Sequence, residues 1–210
     1  MSLEKGLAVH RNPESSGMSD FALPVVLGIA LAAATGFRVF LPMLIVSAAA
    51  YTGYLPLDNS FTWLGTRSAL AMLSVAAVAE ILAYYIPVID NLLDSLATPA
   101  AFIAGTIVSA AVMTDVPPMV KWTAAVIAGG GIAGITQGAT ALLRAHSTVL
   151  TGGLGNSVIA TAELVGALLI SFLALAVPAA AIALVIVFLW FVIRLLHRLF
   201  RGSRSRDSLK

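Results

Sequence analysis

Six long apolar runs, at residues 21–50, 68–88, 99–114, 122–143, 157–177 and 179–197, decide what this chain can fold into. A helix needs about 20 apolar residues to cross a bilayer. Most of the runs are of that order, and together they occupy most of the 210 residues. The chain is 60% hydrophobic and 10% charged, where a soluble domain carries about 25% charged residues. The expected fold is all-α: a polytopic membrane protein with about six transmembrane helices over residues 21–198. A polar tail, residues 1–20, is expected to be disordered, and it has no signal-peptide pattern. Met18 reads equally well as the natural start.

Within the apolar runs one heptapeptide occurs twice. Residues 74–80 read Ser-Val-Ala-Ala-Val-Ala-Glu, and residues 157–163 read Ser-Val-Ile-Ala-Thr-Ala-Glu. Each copy places a carboxylate at bilayer depth, where a charge costs about 2.5–3.5 kcal/mol on insertion scales. Glu80 and Glu163 therefore need a partner or a cavity. Two runs are interrupted by glycine, and each carries an arginine: Arg38 follows Thr35-Gly36-Phe37, and Arg144 ends the glycine-rich fourth run. The first run thus reads as two half-helices, or one strongly kinked span, with Arg38 near the break and Pro42 just after it. The expectation is two three-helix halves, residues 21–116 and 117–198, each with an interrupted first helix. Three spans per half invert the second half relative to the first, the arrangement typical of transporters with a midplane site.

Two roles stay open for the four charges. They line a pathway for a small solute, ion or lipid headgroup, or they pair structurally, Glu80 with Arg38 and Glu163 with Arg144. Arg144 also reads as a snorkelling, topology-setting charge at a span end, and Glu163 as an interfacial group near the start of its span. Asp90 and Asp94, four residues apart on a short amphipathic turn at 89–98, and Tyr84 are rim candidates. Asn156 reads as the cap of the fifth span. Gly130, Gly134 and Gly138 fall at small-xxx-small spacing, suited to packing within the monomer against the first span or to a homodimer.

No cysteine is present, so disulfides and thiolate chemistry are excluded. His10, His146 and His197 lack metal-ligand spacing. No nucleophile–base pair or cofactor motif appears, and the expectation is a protein with no metal or cofactor that is not an enzyme. The basic tail, residues 199–210, is expected to be cytoplasmic and to touch membrane lipid rather than nucleic acid. With six spans both termini are then cytoplasmic, in a bacterial inner membrane.

Several of these residues stand in a pattern that resembles a bacterial integral-membrane family known only as a domain of unknown function. They are Gly36-Phe37-Arg38, Glu80, Ile86-Pro87-Val88-Ile89-Asp90, Leu93-Asp94, Arg144, Gly153-Leu154-Gly155-Asn156 and Glu163. The resemblance covers roughly residues 22–195 and is most specific from Glu80 to Asp94. It implies no activity or substrate. Relatives often have Pro after the Asn, where this chain has Ser157.

Overall fold

The computed structural model describes the backbone of residues 13–207 and, within it, the side chains of 21–86, 93, 96–195, 197 and 198. Among the described residues every regular element is helical. In order they are α1 (Pro13–Thr35), α2 (Phe40–Tyr51), a 3-10 segment (Asn59–Gly65), α3 (Arg67–Ala83) and α4 (Pro87–Val112). There follow α5 (Pro118–Thr123), a π-helical stretch (Ala124–Gly130), α6 (Gly131–Thr151), α7 (Asn156–Ala176) and α8 (Pro178–Asp207). The last three residues of the basic tail lie outside the description. The polar tail differs from expectation, because residues 13–20 extend α1, while residues 1–12 are not described.

Among the described residues three helices are long and apolar enough to cross a membrane: Pro118–Thr151, Asn156–Ala176 and Pro178–Leu195. The pair Asn59–Gly65 and Arg67–Ala83 passes the same criterion as one element bent by 67°. Shorter apolar helices run over Phe21–Thr35, Phe40–Tyr51 and Leu96–Val112. These lengths and compositions are compatible with an integral membrane protein.

α1 is the centre of the bundle and packs on α4, α7, α8 and the π-helical stretch. Its residues Ala30 to Thr35 are buried, almost all of them small. Small side chains let neighbouring backbones come close, which is how apolar helices gain contact without a hydrophobic driving force in lipid. The tightest crossings use glycines other than the expected stripe. A Cβ on Gly129 would sit 2.6 Å from Ser109 Cβ, and one on Gly105 would sit 2.5 Å from Ala133 Cβ. Of the stripe, Gly130 alone is clamped, against Thr106 and Phe102; a Cβ on Gly134 would make an ordinary contact with Phe102 at 3.9 Å, and Gly138 faces open space.

Other boundaries moved as well. The short turn at 89–98 and the third span are one helix, α4, which runs through Pro99. Proline removes one backbone bond without ending a helix that its neighbours support. The fourth span does not stop at Arg144 but continues to Thr151, where Gly152 and Gly153, at φ +62° and +92°, turn the chain into α7. The segment 51–67, between α2 and α3, is partly folded inward: Leu55, Phe61 and Leu64 are buried, and Ser47 Oγ donates to the Leu64 carbonyl at 2.6 Å.

A buried charge cluster between two helix breaks

α1 stops at Thr35, and Gly36, which follows it, packs directly on α6: a Cβ there would lie 2.5 Å from the Ala133 carbonyl and from Thr136 Cβ. The chain then turns through Phe37 and Arg38 into α2. A helix start leaves backbone N–H groups without internal acceptors. The Glu80 carboxylate supplies them. Its Oε1 accepts from Val39 N at 2.7 Å, and its Oε2 accepts from Phe40 N at 3.0 Å. The expected Glu80–Arg38 pair is therefore replaced by a cap. The carboxylate gains two charge-assisted bonds and the positive end of the α2 dipole. Glu80 stays 8% exposed at the end of α3.

Arg38 points instead to the second heptapeptide copy. Its Nη2 donates to the Ala160 carbonyl at 2.8 Å and lies 3.7 Å from Glu163 Oε2. Glu163 is gripped from the other side by Arg144, whose Nε donates to Oε1 at 3.1 Å and whose Nη2 donates to Oε2. Arg38 and Arg144 are each 1% exposed, and Glu163 is 3% exposed. Arg144 is thus neither snorkelling nor at a helix end, and Glu163 is not interfacial. One carboxylate bridges two guanidinium groups inside the bundle.

Tyr84, in the break between α3 and α4, completes the cluster. Both guanidinium carbons lie over its ring, that of Arg38 at 3.9 Å from the centroid and that of Arg144 at 4.2 Å. An aromatic face attracts a cation by about 0.5–2 kcal/mol, most when water is excluded. Asn156 does not cap α7, since Gly155 holds the cap position without a side-chain bond. The Asn156 amide donates to Thr148 Oγ1 at 3.0 Å, tying the start of α7 to the end of α6. Asp90 and Asp94 lie on the α4 backbone, and their side chains are outside the described residues.

Two cavities approach the cluster from different sides. One, of about 320 Å³, lies between α2, α3 and α4 and ends on Val39, Glu80 and Tyr84. The other, of about 420 Å³, lies between α6, α7 and α8 and ends on Phe37, Thr140 and Glu163. Most of their other walls are apolar. Phe37 lines one and Val39 the other, so the chain break that carries Arg38 runs between them, while Arg38 itself lines neither. A larger apolar hollow of about 650 Å³, between α2 and α7, carries no charge.

A feature missed in the sequence extends the cluster along α6. Thr136, Gln137, Thr140 and Arg144 recur at helical spacing, and all four are buried at 1% exposure or less. The opposite face shows Ile135 and Leu142. A helix with its polar face inward is the reverse of a soluble amphipathic helix. Thr136 Oγ1, Gln137 Nε2 and, on α4, Ser109 Oγ have no hydrogen-bond partner. Buried polar groups are nearly always satisfied, commonly by internal water. The described residues include no group of three or more His, Cys, Asp or Glu able to hold a metal.

A compact helical bundle with apolar outer faces and a desolvated Arg–Glu–Arg–Tyr cluster defines a class of helical proteins compatible with integration into a membrane. Within that class the chain belongs to the family described as a domain of unknown function, DUF4126, whose model matches residues 25–198. No curated protein and no solved structure matches it.

Proposed function

We propose that this is an integral membrane transporter or channel in which a small solute, ion or lipid headgroup passes a polar pathway lined by Arg38, Glu163 and Arg144 and by the polar face of α6. The observation that carries the reading is the partition: a charged cluster with cavities reaching it from two sides. Ionisable groups at membrane depth mark substrate pathways and relays far more often than they serve as decoration. The reading involves no catalytic step and no cofactor.

Six membrane segments as an inverted repeat fit the same geometry. Glu80 sits four positions from the last residue of α3's helix, counting inclusively, and Glu163 sits in the second turn of α7. The two carboxylates thus come to the same region from opposite helix ends. Each Glu helix also forms its cavity with the helix that follows it, α4 or α8. Broken helices and inverted halves are the common build of alternating-access carriers. Both termini are then cytoplasmic, in a bacterial inner membrane, with lipid around the bundle. Of the stripe, Gly134 and Gly138 are left for a homodimer contact.

One observation favours a scaffold for part of the site. Glu80 is fully used as the α2 cap, a structural role. The pathway therefore rests on Arg38, Glu163 and Arg144. The test is release of a panel of small anions, cations and neutral solutes from proteoliposomes. Wild type is expected to release at least one class faster than empty vesicles, and the cavity-filling variants A79F and A162F to slow it. If no solute leaves faster than from empty vesicles, the scaffold reading replaces transport.

A further inference from the structure

We infer that the cavity between α2, α3 and α4 binds an alkylammonium, a protonated amine on a hydrocarbon chain, with its N–H groups on the Glu80 carboxylate. The inference goes beyond the transport reading, whose pathway rests on the other three charges. Among the described residues that line this cavity, Glu80 is the only charged one, and it is 8% exposed. Among the described residues Arg38 and Arg144 pair with Glu163, and Lys121 pairs with Asp58; Glu80 belongs to no ion pair. Arg38 and Arg144 line neither cavity and act on Glu80 at longer range. The α2 cap fixes the carboxylate without cancelling its charge, because both donors are neutral backbone N–H groups. A carboxylate has about four acceptor positions, so two cap bonds leave it able to accept from a ligand. A desolvated charge is costly until a counter-charge meets it.

The other walls say what carries the positive charge. They are mostly alanine and leucine, such as Ala79, Ala83, Leu93 and Leu96. About 320 Å³ suits a small ligand or a short alkyl chain. A hydrated metal ion would leave these walls unpaired, a neutral hydrocarbon would leave the carboxylate unpaired, and an anion would meet a like charge. A quaternary ammonium binds best against free aromatic faces, and here the Tyr84 ring already carries the guanidinium groups of Arg38 and Arg144. A primary ammonium needs no ring, since its N–H groups donate directly to the carboxylate. The second cavity is the poorer cation site: its one carboxylate, Glu163, is held by Arg144 and lies 3.7 Å from Arg38 Nη2.

The test uses the full chain in neutral detergent at pH 7 and constant ionic strength, followed by thermal unfolding. The probe is octylammonium, with methylammonium, octanol and octanoate as controls. Octylammonium at about 100 times its dissociation constant is expected to raise Tm by about 5–10 °C. The three controls should give little shift. E80Q keeps one acceptor oxygen for the cap and should abolish the shift. A79F fills the cavity from α3, changes no polar group, and should weaken binding by about tenfold or more. Any control shift equal to that of octylammonium, no shift at all, or an unchanged shift in E80Q or A79F overturns the inference.

Because E80Q also weakens the α2 cap, a second measurement uses wild type only. An alkylammonium bearing a chain diazirine is photo-crosslinked, and the sites are mapped by mass spectrometry. Labels on Tyr84 and Ala97, buried residues of this cavity, support the inference. Labels confined to outer faces, such as Met72 and Ile127, or to the second cavity, such as Ile159, overturn it. The solute-release panel separates this inference from transport. Octylammonium binding without release of any solute supports the site and sinks transport. Solute release without octylammonium binding overturns the inference and leaves transport standing.

Discussion

Glu163→Gln is the perturbation whose size the structure fixes best. The carboxylate is 3% exposed, accepts two hydrogen bonds from Arg144, and lies 3.7 Å from Arg38 Nη2. Glutamine is nearly isosteric and keeps one acceptor oxygen, so packing is conserved and the charge is what is lost. Two buried guanidinium groups then face the same tyrosine ring with no counter-charge between them. Removing one partner of a buried pair costs about 3–5 kcal/mol, because the remaining charge stays desolvated. Here one carboxylate serves two cations, which places E163Q at the upper end of that range. Glu80→Gln is the internal comparison. It loses one of two bonds to the α2 N–H groups and the dipole interaction, which cost about 0.5–2 kcal/mol for a cap. Equilibrium unfolding in mixed micelles, titrated with a denaturing detergent, measures both. E163Q should lose at least 2 kcal/mol more than E80Q, by the difference of those ranges. Equal losses, or E80Q the larger, would mean that Glu80 rather than Glu163 neutralises the arginines, and the account of the cluster would fail.

Tyr84→Leu keeps an apolar side chain but removes the π-face that both arginines contact, and should cost about 1–4 kcal/mol for two desolvated cation–π contacts, read by the same unfolding titration. Gly129→Leu should abolish the folded monodisperse peak in size-exclusion chromatography, since a Cβ there would already collide with Ser109, whereas Gly138→Leu should elute as wild type. The Asp58–Lys121 pair, 2.7 Å long at the edge of the bundle, should make stability pH-dependent. The Lys121 ammonium, aided by the Ser60 N–H, holds the Asp58 carboxyl below its ordinary value. With the folded-state value depressed, the stabilisation is fully present above the unfolded pKa of about 4 and is lost as pH falls through the lower folded value. Asp58→Asn should therefore lower Tm at pH 7 and leave it closer to wild type at the acid end of the titration.

The main charges were legible because a membrane makes them so: among so many apolar residues, Arg38, Glu80, Arg144 and Glu163 stand out at once. Their pairing was not legible. That Glu80 caps α2 depends on the break at Gly36, which turns the first N–H groups of α2 toward the end of α3, a tertiary event with no local signature. Tyr84 was named only for the rim, since nothing in sequence places a ring against residues 38 and 144. The α6 face of Thr136, Gln137, Thr140 and Arg144 was available as a helical period of polar residues. The glycines at 130, 134 and 138 drew the reading toward a face that is only partly packed. α4 ran through Pro99 because supporting neighbours outweigh the single lost bond, a balance that residue preference alone does not give.

The central claim is that the cluster separates two compartments that open to water. Because the chain has no cysteine, single thiols report access without background. Thr140→Cys lies beside Glu163 on the α6 face, Ala83→Cys lies beside Glu80 and Tyr84, and Met72→Cys is an outward-facing control. Each is placed in sealed vesicles of both orientations and exposed to a charged, membrane-impermeant thiol reagent. The account predicts that positions 140 and 83 react well above the rate at position 72. Rates at both positions no faster than at Met72→Cys, from either side, would show that neither cavity opens to water and contradict the account.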